Sequence, residues 1–338
     1  MLVLTVLEAM VTKAMTETSK VLIVAAKDDL HAIAVAEQIS ALGHQCYILD
    51  TATFPSEWSL TTRIVDHSIT AILTNETSGI VISLHELTSV WWRRPAKPEL
   101  STLMHHPSYV EFVTSECDQA LLGTLIALGT NFLNPVHLSR AASRKLPQLV
   151  AANTLGMQSP ITLVTTSPTD ASCFAESRNM DIIYKTFTGC DFGFYETRKI
   201  TSANLSDLWR LRVCPTIFQE HIAGDYDLRV TIVGSEIFAA RLLFHEGRHL
   251  VDSRVERVPV ERTELPGELV AQLSKLVRCF GLRYAAIDMR FSERTGYTFF
   301  ELNPEGQYLW IEIETGMPIS EAIARSLITP HNSLCDTC

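Results

Sequence analysis

The sequence is short of positive charge, of paired cysteines and of long apolar runs, and each shortage excludes a class of protein. Its 338 residues carry 28 Lys and Arg against 38 Asp and Glu, a formal net charge of −10. A general nucleic-acid binder needs excess cations to replace phosphate counterions, so no nucleic-acid partner is expected. Eight cysteines, at 46, 117, 173, 190, 214, 279, 335 and 338, show no framework spacing. Most lie in apolar runs, where cysteine acts as a small hydrophobe, and a reducing, cytoplasmic location is the simple reading. Cys335 and Cys338 form a lone C-x-x-C without the second ligand pair that zinc would need. The apolar start, residues 1–10, has no basic residue before it and is interrupted by Glu8. It is also shorter than the roughly 20 residues a membrane span requires. No membrane association is expected, and residues 1–19 read as an extension, mobile or an added helix, ahead of the fold. Glycine (15) and proline (14) are scattered and 46% of residues are hydrophobic, which excludes disorder and fibrous repeats.

What is present is an alternation of strand and helix patterns. Residues 21–26 form a buried-strand run, residues 28–42 an amphipathic stretch closed by Gly43, and residues 45–50 a second strand, together a β-α-β unit. No G-x-G-x-x-G follows the first strand, so the dinucleotide fingerprint is missing. Strand-like runs at 71–74, 80–83 and 90–93 and a helix over 109–128 complete a small α/β domain. From Pro135 the pattern runs helix (144–155), strand (161–165), helix (169–178), strand (182–187), then a hairpin over 191–200. Strands at 216–220, 226–233 and 236–244, a helix over 267–280, strands at 284–291 and 297–303 and a closing helix over 318–327 follow. One core rarely grows past about 250 residues. The expected division is therefore 20–134, 135–215 and 216–330, between the 1–19 extension and a 331–338 tail.

Carboxylates set into apolar strands carry the chemical signal. Ala286-Ile287-Asp288-Met289-Arg290 and Phe299-Phe300-Glu301-Leu302-Asn303-Pro304 each bury an acid whose desolvation calls for a positive neighbour. On paired antiparallel strands Asp288 and Glu301 can face each other, and Asn303 shares the side of Glu301, so three hard oxygen donors converge as magnesium prefers. A core arginine for Asp288 and a turn opened by Asn303 before Pro304 account for the same residues equally well. Gln219-Glu220-His221-Ile222, at the end of a strand, offers backbone groups to an adenine edge, and Asp227 offers a carboxylate to ribose; a solvated strand end is the plainer alternative. Lys145 opens a helical run, and Lys185 follows an apolar strand that calls for an anionic partner.

In their order, Lys145, Lys185, Gln219 to Ile222, Asp227-Leu228-Arg229, Asp288 and Glu301-Leu302-Asn303 resemble the ATP-grasp superfamily. Trp91-Trp92-Arg93-Arg94-Pro95, Glu301 through Trp310 and Thr315-Gly316-Met317-Pro318 further resemble the graspetide, or microviridin-type, peptide maturases. The resemblance implies an α/β ATP-grasp fold: an N-terminal pre-ATP-grasp domain, a central domain and a C-terminal antiparallel-sheet domain. It implies ATP and magnesium as cofactors, with Lys145 and Lys185 on phosphates, Gln219, Glu220, His221 and Ile222 on adenine, Asp227 on ribose, and Asp288, Glu301 and Asn303 on the metal. Arg229 and Arg241 would face charge developing at the reacting centre, and Arg93 and Arg94 would grip an acidic core peptide, unless stacking by Trp91 and Trp92 makes Arg93 structural. Gly189 and Gly193 make a thin phosphate loop; the region resembles instead a leader-docking hairpin, with Asp191, Phe192, Tyr195 and Arg198 on the leader peptide. The implied partner is a ribosomal precursor peptide with a leader and a Thr/Glu-rich core, and the implied assembly a homodimer. The implied reaction is phosphorylation of Asp or Glu side chains followed by closure of ω-ester, less readily ω-amide, rings. The competing readings are a ligase adding a free amino acid, as in the ribosomal-protein modifying and glutathione synthetase branches, and a non-catalytic nucleotide- or peptide-binding module.

Overall fold

The computed structural model describes residues 18–100, 106–188, 197–244 and 258–329. It divides into two compact units, residues 1–136 with 318–338, and residues 137–317. In the first, β1 (Lys20–Ala25), α1 (Leu30–Ala41) and β2 (Gln45–Leu49) make the expected β-α-β unit. Asp29 starts the helix by accepting hydrogen bonds from the His31 and Ala32 amides at 2.9 and 3.1 Å, satisfying donors that have no partner within the helix. An antiparallel sheet of β3 (Trp58–Val65), β4 (Ser68–Asn75) and β5 (Val81–Ser83) follows. The chain then returns as β6 (Ser89–Arg94) to complete the parallel order β2-β1-β6. Strand alternation sends Leu22 and Val24 into a core shared with Leu73, Ile82, Trp92 and, from α2 (Pro107–Ala127), Leu121 and Leu125.

The second unit opens with α3 (Val136–Ala142), which starts at the boundary, and α4 (Lys145–Thr154). A smaller layer follows: β7 (Thr162–Thr165), α5 (Pro168–Ser177), β8 (Ile182–Lys185), β9 (Arg198–Lys199), α6 (Ser202–Leu205) and β10 (Thr216–Glu220). Its strands order as β7-β10-β8-β9. The larger layer is β11 (Tyr226–Val233), β12 (Glu236–Leu243), β13 (Val260–Thr263), α7 (Gly267–Cys279), β14 (Tyr284–Ser292) and β15 (Gly296–Asn303), ordered β13-β12-β11-β14-β15. One face of this sheet supplies Leu228, Val230, Ile287, Met289, Phe299 and Leu302 to a core with Leu269, Leu273 and Leu276 of α7 and Leu149 of α4. The other face carries Asp227, Arg229, Asp288 and Arg290 among buried Phe238, Ala240, Leu242 and Ala286. After α8 (Leu309–Thr315), the closing helix α9 (Ile319–Ile328) joins the first unit and packs on α1.

Candidate active site

The five-stranded sheet carries two Asp-x-Arg segments on adjacent strands, Asp227-Leu228-Arg229 and Asp288-Met289-Arg290. Their antiparallel register sets Asp227 opposite Arg290 and Arg229 opposite Asp288. Directly opposed residues share a face, so two crossed ion pairs lie side by side there. Arg229 Nη1 is 2.6 Å from Asp288 Oδ1, while Arg290 holds Asp227 through Nε at 2.6 Å and Nη2 at 3.1 Å.

β15 adds the second carboxylate through a bulge. Asp288 pairs with Glu301 but Met289 pairs with Phe299, leaving Phe300 as the extra residue. In a regular ladder Phe299 and Glu301 would point the same way. The bulge shifts the phase, so Phe299 and Leu302 stay in the core while Glu301 and Asn303 take the side of Asp288. Lys145 is placed by Gln148, one turn along α4 and 1% exposed, whose amide both donates to Leu302 O at 2.7 Å and accepts from Leu302 N at 2.9 Å. That clasp brings Lys145 Nζ to 2.9 Å from Glu301 Oε2. Gly306 lets the turn after Pro304 press against β14, because a Cβ there would overlap that of Ala286. The same turn presents the Gln307 carbonyl to Arg229 Nη2 at 2.8 Å.

These neighbours split the two carboxyl groups. Burial pushes Glu301 up, but the Lys145 and Lys185 ammonium groups outweigh it and hold the carboxyl below the usual glutamate range. Asp288 moves the other way: desolvation, joined by repulsion from Glu301, raises it against the pull of Arg229. Arg229 keeps its proton more firmly than usual despite burial, because Asp288 lies against it.

The donor set is two carboxylates and an amide oxygen, all hard ligands on one face. Among the described residues no three His, Cys, Asp or Glu side chains cluster around a metal site. A divalent ion here would therefore need the Asn303 amide together with water and phosphate oxygens, which is how magnesium fills its six positions. In this structure Arg229, Lys145 and the Glu305 N–H, 2.9 Å from Asn303 Oδ1, take up those oxygens.

Several expected residues sit elsewhere. Arg241 lies opposite Leu228, one residue out of phase with Arg229, so it shares the core side of the sheet and pairs with Glu261 at 2.7 Å. The two arginines do not converge. Asp227, only 11% exposed in its side chain, spends both oxygens on Arg290 rather than leaving them for ribose. Arg93 is fully buried in the first unit, 2.9 Å from Asp29 and stacked 5.1 Å from the Trp91 ring centroid, as the structural alternative for it requires; Arg94 beside it is exposed.

The strand end behaves as a braced connector. Gln219 is buried against Thr162 Oγ1, Glu220 accepts the Ile161 amide, His221 N–H donates to Asp181 O, and Ile222 O accepts Arg290 Nη1 at 2.8 Å. Desolvation, with Lys199 nearby, lowers the His221 pKa. Arg198 lies exposed on β9, while Asp191, Phe192 and Tyr195 fall outside the described residues. Arg290 was missed, although the repeated Asp-x-Arg spacing was a usable signal for it.

Residues 20–140 match the family described as the MvdD pre-ATP grasp domain. Macrocyclase MdnC bound with precursor peptide MdnA, from Microcystis aeruginosa MRC, is 30% identical with a TM-score of 0.82, over 92% of this chain and 99% of that one. The chain belongs to the graspetide ATP-grasp ligases. A Chryseobacterium gregarium RiPP-associated ATP-grasp ligase in complex with ADP and a leader and core peptide matches this graspetide ligase at 25% identity and TM-score 0.81, over 92% of this chain and 96% of that one. ATP-grasp ligase PsnB, complexed with a phosphomimetic variant of its minimal precursor, Mg and ADP, matches at 25% and 0.75, over 91% and 97%. No curated protein sequence matches the chain.

Proposed function

We propose that this graspetide ligase uses ATP and magnesium to activate Asp or Glu side chains of a ribosomally made precursor peptide and closes them into macrocyclic esters. The observation that carries this reading is one sheet face on which Asp288, Glu301 and Asn303 lie among Arg229, Lys145 and Lys185. Phosphoryl transfer depends chiefly on charge neutralisation and alignment, and this face supplies both signs of charge. Complexes of similar ligases with peptide, ADP and Mg support the choice of substrates.

Asp288, Glu301 and Asn303 would hold magnesium, which supplies charge neutralisation for the phosphates. Lys145 and Lys185 offset phosphate charge, and backbone groups of the Glu220 to Ile222 connector take adenine. Arg229 faces the reacting carboxyl. A peptide carboxylate oxygen bonds to the γ-phosphorus and ADP leaves; a Thr or Ser hydroxyl then bonds to the acyl carbon, loses its proton, and inorganic phosphate departs. A Lys amine in the same position gives an ω-amide. Arg94 is the residue to contact the acidic core, and the β8–β9 hairpin with Arg198 the place for the leader. Among the described residues no helix is long and apolar enough to cross a membrane; the proposed substrates, ATP and a newly made peptide, support a cytoplasmic reaction.

Incubation with ATP, magnesium and Thr/Glu-rich precursors should remove one water mass per ring. A mass gain that requires a free amino acid would instead identify an amino-acid-adding ligase, and unchanged masses with no ATP consumed would contradict both.

A further inference from the structure

Arg290 is 4% exposed and lies where the connector and the bulged strand meet. Three of its N–H donors are spent on one stretch of chain: Nε and Nη2 on Asp227 at 2.6 and 3.1 Å, and Nη1 on the Ile222 carbonyl at 2.8 Å. Its guanidinium also lies against two rings, with its centre 5.0 Å from the Phe244 centroid and 5.5 Å from that of Phe300. Gly224 closes over the side chain so tightly that a Cβ there would overlap the Arg290 Cγ. Ile222, Gly224 and Asp227 are thus shaped around one arginine, and that arginine leans on Phe300, the bulge residue that sets the direction of Glu301.

We propose that Arg290 is the positioning residue for nucleotide binding: it fixes the connector and ties it to the strand carrying the metal donors. The proposal rests on the nucleotide reading given above. Lysine cannot replace it, because a point charge supplies neither the planar fork that holds Asp227 and Ile222 together nor the flat faces that stack on the rings. Arg290 acts through the connector and touches no reacting atom, so its loss should appear in nucleotide affinity rather than in turnover.

The test is ADP titration by calorimetry with magnesium present, and ATP kinetics, on the full chain. Wild type, R290K, R290Q, D227N and G224A are compared. The three substitutions at Arg290 and Asp227 should weaken ADP and raise the KM for ATP by about tenfold or more, with kcat at saturating ATP and the KM for peptide kept within about threefold. R290Q with D227N should cost no more than either alone, since both remove the same contact. G224A retains the charge and the ion pair but crowds the clamp, and should raise the nucleotide KM in the same way; if R290Q does not fold, G224A and R290K decide. Unchanged nucleotide affinity in the folded variants, or a fall in kcat with affinity intact, overturns the proposal. Failure of wild type to bind ADP would overturn the nucleotide reading beneath it instead.

Discussion

Arg93 shows what a cation costs when it loses water. Its Nε meets Asp29 at 2.9 Å, yet Nη1 and Nη2 are buried with no hydrogen-bond partner. Asp29 also caps α1, and although burial pushes its carboxyl up, the Arg93 charge and the Ala32 amide together hold it below the usual aspartate range. D29N preserves the cap but leaves the buried guanidinium without its counter-charge, and should destabilise the protein by roughly 3 kcal/mol. R93M removes the unsatisfied nitrogens together with the charge and should cost far less. Because the folded-state pKa of Asp29 is depressed, its contribution is complete above the unfolded value of about 3.9 and is lost as pH falls through the folded value. Denaturant unfolding should therefore show a gap between wild type and D29N at neutral pH that narrows below about pH 4; a constant gap would remove the electrostatic explanation. At this scale the sequence was legible where residue type limits chemistry. The acids at 288 and 301 did need cations, and found them in Arg229 and Lys145. It was not legible where register decides: Arg241 looks like Arg229 in sequence but sits one position out of phase.

Among the elements, the bulge at Phe300 does most to build the site. A period of two read along Phe299-Phe300-Glu301-Leu302-Asn303 puts Phe299 with Glu301, which is physically costly, and only an extra residue separates them. Deleting Phe300 should restore a regular ladder in which Phe299 stays opposite Met289 and Glu301 stays opposite Asp288, so the donor keeps its face. ATP-dependent turnover should then stay within about tenfold of wild type, whereas E301A, which keeps the bulge but removes the donor, should lower it by at least about a hundredfold. Equal losses in the two variants would show that the direction of Glu301 does not set the site. Strong apolar patterns such as β1, β11 and β14 are evident before folding, as is the amphipathic α7. The elements missed were β3, β13, α3 and α8. β3 reads Trp-Ser-Leu-Thr-Thr-Arg-Ile-Val and buries only its first residue, and β13 is a four-residue edge strand with none buried, so neither carries the alternation that marks a strand against a core.

For the molecule as a whole, two compact units share one chain whose last helix returns to the first. That return was invisible in sequence, because an amphipathic helix announces an apolar face without saying which core receives it. The central claim is that a peptide carboxyl group is phosphorylated before it is acylated onto a hydroxyl. It is tested most directly by labelling the precursor's Asp and Glu carboxyl oxygens with 18O and following the label by mass spectrometry during ring closure. The account predicts one labelled oxygen in inorganic phosphate for each ring formed, with ADP as the nucleotide product. Label recovered in AMP, or phosphate released without label while rings form, would contradict it.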